Sequence, residues 1–297
     1  MTAGDRRHNS SNKYNSLLKG LNKLSTATYS NVQVSKWSTW DGSLSNVQQE
    51  LFAKMKPVVD DMNRESDPAF FTWYEHTQWQ WKQWEYSSVL NQIDLSAAAG
   101  CKVLDAGCGY TPLIRYLASI GMEAYGFDWD AKEIESNLSK SSSLLHGNLV
   151  KYHKQDMRDM KWPSDFFDYT VCVSVLEHLF AGQNIFQKAV DKFLPPENKV
   201  FHINNVRRAI HEMIRVTKPG GQIILTMDCG FGGGIPVQAV EKLLDIQIKP
   251  FPDIETIRQF WKNDEYYMHR NRMLPGVPRE YTSLLAVLQK LSPPQPE

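Results

Sequence analysis

Residues 102–113, KVLDAGCGYTPL, constrain the fold of this chain more than any other stretch. Val103 and Leu104 form a short apolar run of the kind a parallel strand buries on both faces, and Asp105 stands where that strand ends. Gly107 and Gly109 permit a tight turn, and they let a ligand reach the backbone with no Cβ in its way. Thr111 is a favoured N-cap and Pro112 a favoured first helical residue. Leu113, Tyr116, Leu117 and Ile120 then make an apolar helix face that Gly121 ends. Strand, glycine turn and helix N-terminus converge on one point, an arrangement that holds nucleotides in doubly wound sheets.

Further strands follow in the order such a sheet needs. Glu123–Asp128, EAYGFD, reads as the second strand, and its terminal Asp128 lies about twenty residues beyond the glycine turn. An acid there either accepts hydrogen bonds from both ribose hydroxyls or is a solvated strand end, and Trp129 beside it is placed to pack on an adenine face. Residues 149–154 read as the third strand, running into Gln155, Asp156 and Met157. FFDYTVCVSV, 166–175, is the fourth, with Glu177 and His178 just past its carboxyl end. Residues 202–216 make an amphipathic helix, stopped by Lys218, Pro219, Gly220 and Gly221 before a fifth strand that ends in Met227 and Asp228. Helices over 237–244 and 254–261 follow, and residues 281–288 fit either a last strand of the sheet or a short helix.

Three of these stretches resemble the class I S-adenosylmethionine-dependent methyltransferases of the broad small-molecule branch. DAGCG at 105–109 resembles their motif I and SVLEH at 174–178 their motif IV. RVTKPGGQIILTMD at 215–228 resembles the segment before and through their fifth strand. The resemblance spans about 100–228 and implies an α/β, Rossmann-like, doubly wound sheet of seven mostly parallel strands, with S-adenosylmethionine as cofactor. It places Asp105, Gly107, Cys108, Gly109 and Ser174 around the cofactor, Asp128 on the ribose and Trp129 on the adenine. It also puts Asp156 on the adenine amino group, with Asp159 as a rival, and Met157 against the ring. His178 is the candidate base, although Glu-His pairs recur here across members with different chemistry and read equally as scaffold. The Asn/Asp-Pro-Pro-aromatic pattern of nucleic-acid amino methylation is absent, as is the paired-glutamate hairpin of protein arginine enzymes. A dinucleotide fold would want a third glycine where Pro112 stands.

Outside that span the chain divides into a flexible N-terminal arm (1–43), a helical cap (44–97), the methyltransferase domain (98–291, with an insertion at about 180–201) and a tail (292–297). In the cap, Pro57 is expected to bend or divide a first helical segment. A second, over 68–93, is dense in rings that serve either as core or as a lid, with Tyr74, Trp81 or Trp84 facing the acceptor or the sulfonium.

Net charge is zero, so nothing global favours a nucleic-acid backbone or an anionic membrane. No apolar run is long enough for a bilayer, and the N-terminus lacks the apolar core of a secretory signal. The expectation is a cytoplasmic monomer or homodimer acting on a small molecule. The four cysteines have no metal-site spacing, and His211-Glu212 has Arg215 where a zinc helix needs its second histidine, so no metal is expected. The activity this points to is methyl transfer to an oxygen or nitrogen of a natural-product or sugar-like metabolite. Two alternatives stay open: a non-catalytic cofactor-binding partner and a nicotinamide-dependent oxidoreductase.

Overall fold

Alternate residues of the central strands enter two different cores. Leu104, Cys172, Ile223 and Leu225 pack on one side of the sheet; Val103, Val171 and Ile224 pack on the other. The period-two alternation of a pleated strand does this wherever both faces are covered. In the computed structural model, which describes residues 29, 31–65, 80–140, 149–181, 200–230, 234–249, 251–263 and 281–292, both are covered by helices.

The strands are β1 (Val32–Thr39), β2 (Lys102–Ala106), β3 (Glu123–Asp128), β4 (Val150–Lys154), β5 (Phe167–Val173), β6 (Thr217–Gly230), β7 (Ile235–Pro236) and β8 (Tyr281–Lys290). The helices are α1 (Asn46–Glu65), α2 (Gln80–Leu90), α3 (Pro112–Ser119), α4 (Ala131–Lys140), α5 (Leu176–Ala181), α6 (Val200–Val216), α7 (Val237–Leu244) and α8 (Ile254–Asn263). The strand order is β1-β8-β6-β5-β2-β3-β4, with β7 pairing to β6. The five strands from β2 to β6 run parallel, and β8 is antiparallel to β6 and to β1. α5, α6 and α7 cover one face; α1, α2, α3 and α8 cover the other.

The doubly wound fold is as expected, but the sheet has eight strands rather than seven. The residues 32–39, assigned by sequence to a flexible arm, form the edge strand β1, with Val32 opposite Lys290 and Thr39 opposite Leu284. Pro57 lies inside α1, which continues through it as one helix. Met55, Val58, Val59 and Met62 bury that helix against Leu90, Leu113 and Leu117. Each such burial contributes roughly 1.5–3 kcal/mol, which outweighs the cost of about 3 kcal/mol for an interior proline. The cap helices therefore form one layer of the domain's own core. Lys218–Gly221 stands inside β6, with Gly220 at φ 79° and a register irregularity opposite Phe167 to Tyr169.

Several expectations lie outside the described residues: 1–28 of the arm, the rings at 70–79, the insertion over 182–199 and the tail from 293. Among the described residues no helix is long and apolar enough to cross a membrane.

Candidate active site

The chain reverses its progress across the sheet at β2, with β3 and β4 to one side and β5 and β6 to the other. Ligands of open α/β sheets bind at such a switch point, outside the carboxyl ends of the strands. Gly107 leaves β2 at φ 77°, and a Cβ there would lie 2.8 Å from both γ carbons of Val175. Gly109 turns at φ 45° with nothing within 4 Å of where its Cβ would be. One glycine packs tightly against the end of β5; the other borders open space.

Three of the turn's amides are committed. Gly107 and Cys108 both donate to the Phe127 carbonyl, at 2.9 and 2.8 Å. Gly109 donates to Asp128 Oδ2 at 3.1 Å, and Pro112 opens α3 with no N–H at all. A pyrophosphate requires free amides at this place. These three amides, and Pro112, are therefore not available to a phosphate. Thr111, expected as an N-cap, makes no capping bond; its hydroxyl donates to Asp105 Oδ2 at 3.3 Å. Burial pushes the Asp105 carboxyl up to about 7, the Thr111 hydroxyl opposing and the Asp128 charge reinforcing the shift.

Asp128 is half-buried, and burial raises its carboxyl above the usual range. Its Oδ1 accepts the Asp130 amide at 2.9 Å and its Oδ2 the Gly109 amide, so each oxygen keeps a lone pair for another donor. Trp129 beside it leaves 54 % of its surface exposed. Asp156 is bidentate to Arg158, with Oδ2 accepting Nη2 at 2.6 Å and Oδ1 accepting Nε at 2.9 Å, and this pairing holds its carboxyl below the usual range. Asp159 pairs with Lys161 at 2.5 Å, and Met157 is buried in the core on the α6 face.

Ser174 ends β5 in the left-handed region, φ 52°, a position that costs a non-glycine residue about 1–3 kcal/mol and recurs at functional sites. Its hydroxyl donates to Glu85 Oε1 at 2.6 Å and accepts from Lys82 Nζ at 2.7 Å. Lys82 and Glu85, both buried on α2, are themselves paired at 2.6 Å, and the Lys82 ammonium lies 4.4 Å from the centre of the Trp81 ring. The cap is thus fastened to the end of β5. On α5, His178 is exposed, whereas Glu177 is buried and its carboxyl is raised well above the usual range, first by burial and then by Asp228 and Glu85, with Lys82 opposing. Asp228, at the end of β6, accepts from Ser283 Oγ on β8 at 3.4 Å.

The structure therefore brings Asp105, Gly107, Gly109, Asp128 and Trp129 together at the carboxyl ends of β2 and β3 and Ser174 to that of β5, whereas the Cys108 side chain is buried in the core beside Gly126. Lys82 and Glu85, which meet Ser174, were not among the residues expected from sequence at the end of β5. A signal was present in WKQWEY, 81–86, where a lysine and a glutamate three residues apart stand in an otherwise ring-rich helix. The four cysteines are free, and burial raises Cys108, Cys172 and Cys229 toward inert protonated thiols.

A family model described as a methyltransferase domain matches residues 97–271, more than half of the chain. The chain belongs to this methyltransferase family. Its cofactor is S-adenosylmethionine. A ubiquinone biosynthesis O-methyltransferase of Shewanella sp. (strain ANA-3) is 29 % identical over 147 residues, covering 46 % of this chain and 58 % of the relative. The enzyme of the same name from Pectobacterium atrosepticum is 30 % identical over 129 residues, covering 43 % and 52 %. The chain thus spans about half the length of the curated relatives it matches. Among solved structures, the [4+2]-cyclase SpnF aligns at 16 % identity and TM-score 0.48, covering 82 % of this chain and 96 % of that one. Magnesium protoporphyrin IX methyltransferase from Synechocystis PCC 6803 aligns at 18 % and 0.42, covering 80 % and 97 %.

Proposed function

We propose that this methyltransferase acts on an oxygen or nitrogen of a small molecule, natural-product or sugar-like in kind. The observation that carries the reading is the switch point itself: a glycine turn at the end of β2, tied to Asp128 of β3, beside the Lys82-Glu85-Ser174 cluster that fastens the cap helix α2 to the end of β5. On this reading Asp128 accepts the ribose hydroxyls and Trp129 covers the adenine. Asp156 and Met157 border the base, while Asp105, Gly107, Cys108, Gly109 and Ser174 surround the methionine end. The cofactor supplies a methyl group already activated on a sulfonium. What the chain contributes is alignment and exclusion of water, and orientation alone is worth roughly 7–11 kcal/mol in well-placed systems. Buried Trp81, Trp84 and Tyr86 on α2 keep water from that side. His178 serves as base only for an acceptor that must lose a proton in the step.

The names of the curated relatives, O-methyltransferases, support an oxygen acceptor as one arm of the test. The purified chain is incubated with methyl-labelled S-adenosylmethionine and panels of phenols, sugar alcohols and alkylamines. At least one panel is expected to yield labelled product well above the acceptor-free rate, with Asp128→Ala removing it. No transfer to any panel, with cofactor binding intact, would favour the non-catalytic partner instead.

A further inference from the structure

We propose that the buried Lys82-Glu85 pair of α2 is a positioning device for the cofactor turn: it clamps the Ser174 hydroxyl, holds the end of β5 in a left-handed bend and so seats Val175 against Gly107. This rests on the reading that the glycine turn borders the cofactor, and it adds the means by which the cap sets cofactor affinity.

Each link is a contact. The Ser174 hydroxyl donates to Glu85 Oε1 at 2.6 Å and accepts from Lys82 Nζ at 2.7 Å, and Lys82 in turn donates to Glu85 Oε2 at 2.6 Å. The three groups close a ring that uses both glutamate oxygens. Lys82 is 7 % exposed and Glu85 0 %, so little water competes for these charge-assisted bonds, which are about twice as strong as neutral ones. A serine backbone at φ 52° persists only where its surroundings over-determine it, and the ring supplies that constraint.

The bend lies between two fixed points. The Ser174 amide donates to the Thr226 carbonyl of β6 at 3.0 Å, and the Val175 carbonyl accepts from the His178 and Leu179 amides at 2.9 and 3.3 Å as α5 begins. The Ser174 dihedrals therefore decide where Val175 sits. Both Val175 γ carbons lie 2.8 Å from where a Cβ on Gly107 would be, so the valine fills the space a side chain would take and walls the turn on that side. Gly107 stands at φ 77° with its amide tied to Phe127, which leaves it little freedom to follow a displaced valine. A relaxed Ser174 would withdraw the wall, and the cofactor would have to restore it on binding, with a loss of affinity.

The test is calorimetric titration of the full chain and its variants with S-adenosylhomocysteine, with urea unfolding of each in parallel. Alanine and glycine at 174 both remove the hydroxyl, but only glycine adopts a positive φ without strain. Ser174→Gly is therefore expected to bind about tenfold more tightly than Ser174→Ala. Lys82→Met/Glu85→Leu replaces the pair by apolar groups and leaves neither charge buried alone. It is expected to fold and to lose about tenfold in affinity, and adding Ser174→Gly should restore most of that loss, which a merely structural role for the pair would not allow. If the double variant fails to fold, Lys82→Leu/Glu85→Met carries the same expectation. Equal affinities of the alanine and glycine variants, an unchanged affinity in the folded apolar pair, or no restoration by glycine overturns the proposal. An affinity unaffected by Asp128→Ala would instead overturn the placement of the cofactor beside this turn, a separate result.

Discussion

Replacing Asp128 by alanine is expected to weaken S-adenosylhomocysteine binding by about two orders of magnitude. The carboxylate ends β3 at the switch point and keeps one lone pair on each oxygen after accepting the Asp130 and Gly109 amides. Hydrogen bonds from two ribose hydroxyls to an ionised, half-buried acceptor contribute roughly 1.5–3 kcal/mol each. Alanine removes both and also frees the Gly109 amide, so the turn loses one of its ties to β3, those of Gly107 and Cys108 to Phe127 remaining. Asparagine keeps one acceptor oxygen and should cost less, about tenfold. Calorimetric titration of the three proteins checks the order. An alanine variant within about threefold of wild type would mean that Asp128 does not hold the ribose.

Gly107→Ala is expected to cost about 3 kcal/mol or more in stability and to abolish cofactor binding. Two effects add. The backbone at φ 77° is strained for any residue with a Cβ, and that Cβ would stand 2.8 Å from Val175 Cγ1 and Cγ2. Val175→Ala removes both γ carbons, so the double variant should regain the steric share and keep the dihedral share. Its urea-unfolding free energy should fall between those of Gly107→Ala and wild type. A Gly107→Ala protein as stable as wild type would show that the turn relaxes freely, against the tight packing described here.

The strand-turn-helix unit was legible because its signals are local: an apolar run, two glycines and a Thr-Pro helix start within 102–113. Helix α7 occupies the same residues that periodicity assigned to it, for the same reason. β1 was not legible. Its partner β8 lies some 250 positions away, pairing Val32 with Lys290, and an edge strand with one half-polar face carries no local mark of that pairing. Pro57 misled because propensity is a local quantity, whereas the burial of Met55, Val58, Val59 and Met62 is tertiary. Glu177 and His178 were both placed at the sheet edge by sequence. Only the phase of α5 decides that the glutamate turns inward and the histidine outward, and a six-residue helix is too short for periodicity to set it. The Lys82-Glu85 pair meets Ser174 across about ninety residues of chain, a contact set by docking of the cap.

The measurement that bears most directly on the account is calorimetric titration of the wild-type chain with S-adenosylhomocysteine and with NADH. Membership of the methyltransferase family, with three turn amides committed and a proline at the start of α3, predicts one-to-one binding of the sulfur nucleoside at micromolar levels and no measurable binding of NADH. Binding of NADH in its place would contradict the reading of the glycine turn and every role derived from it.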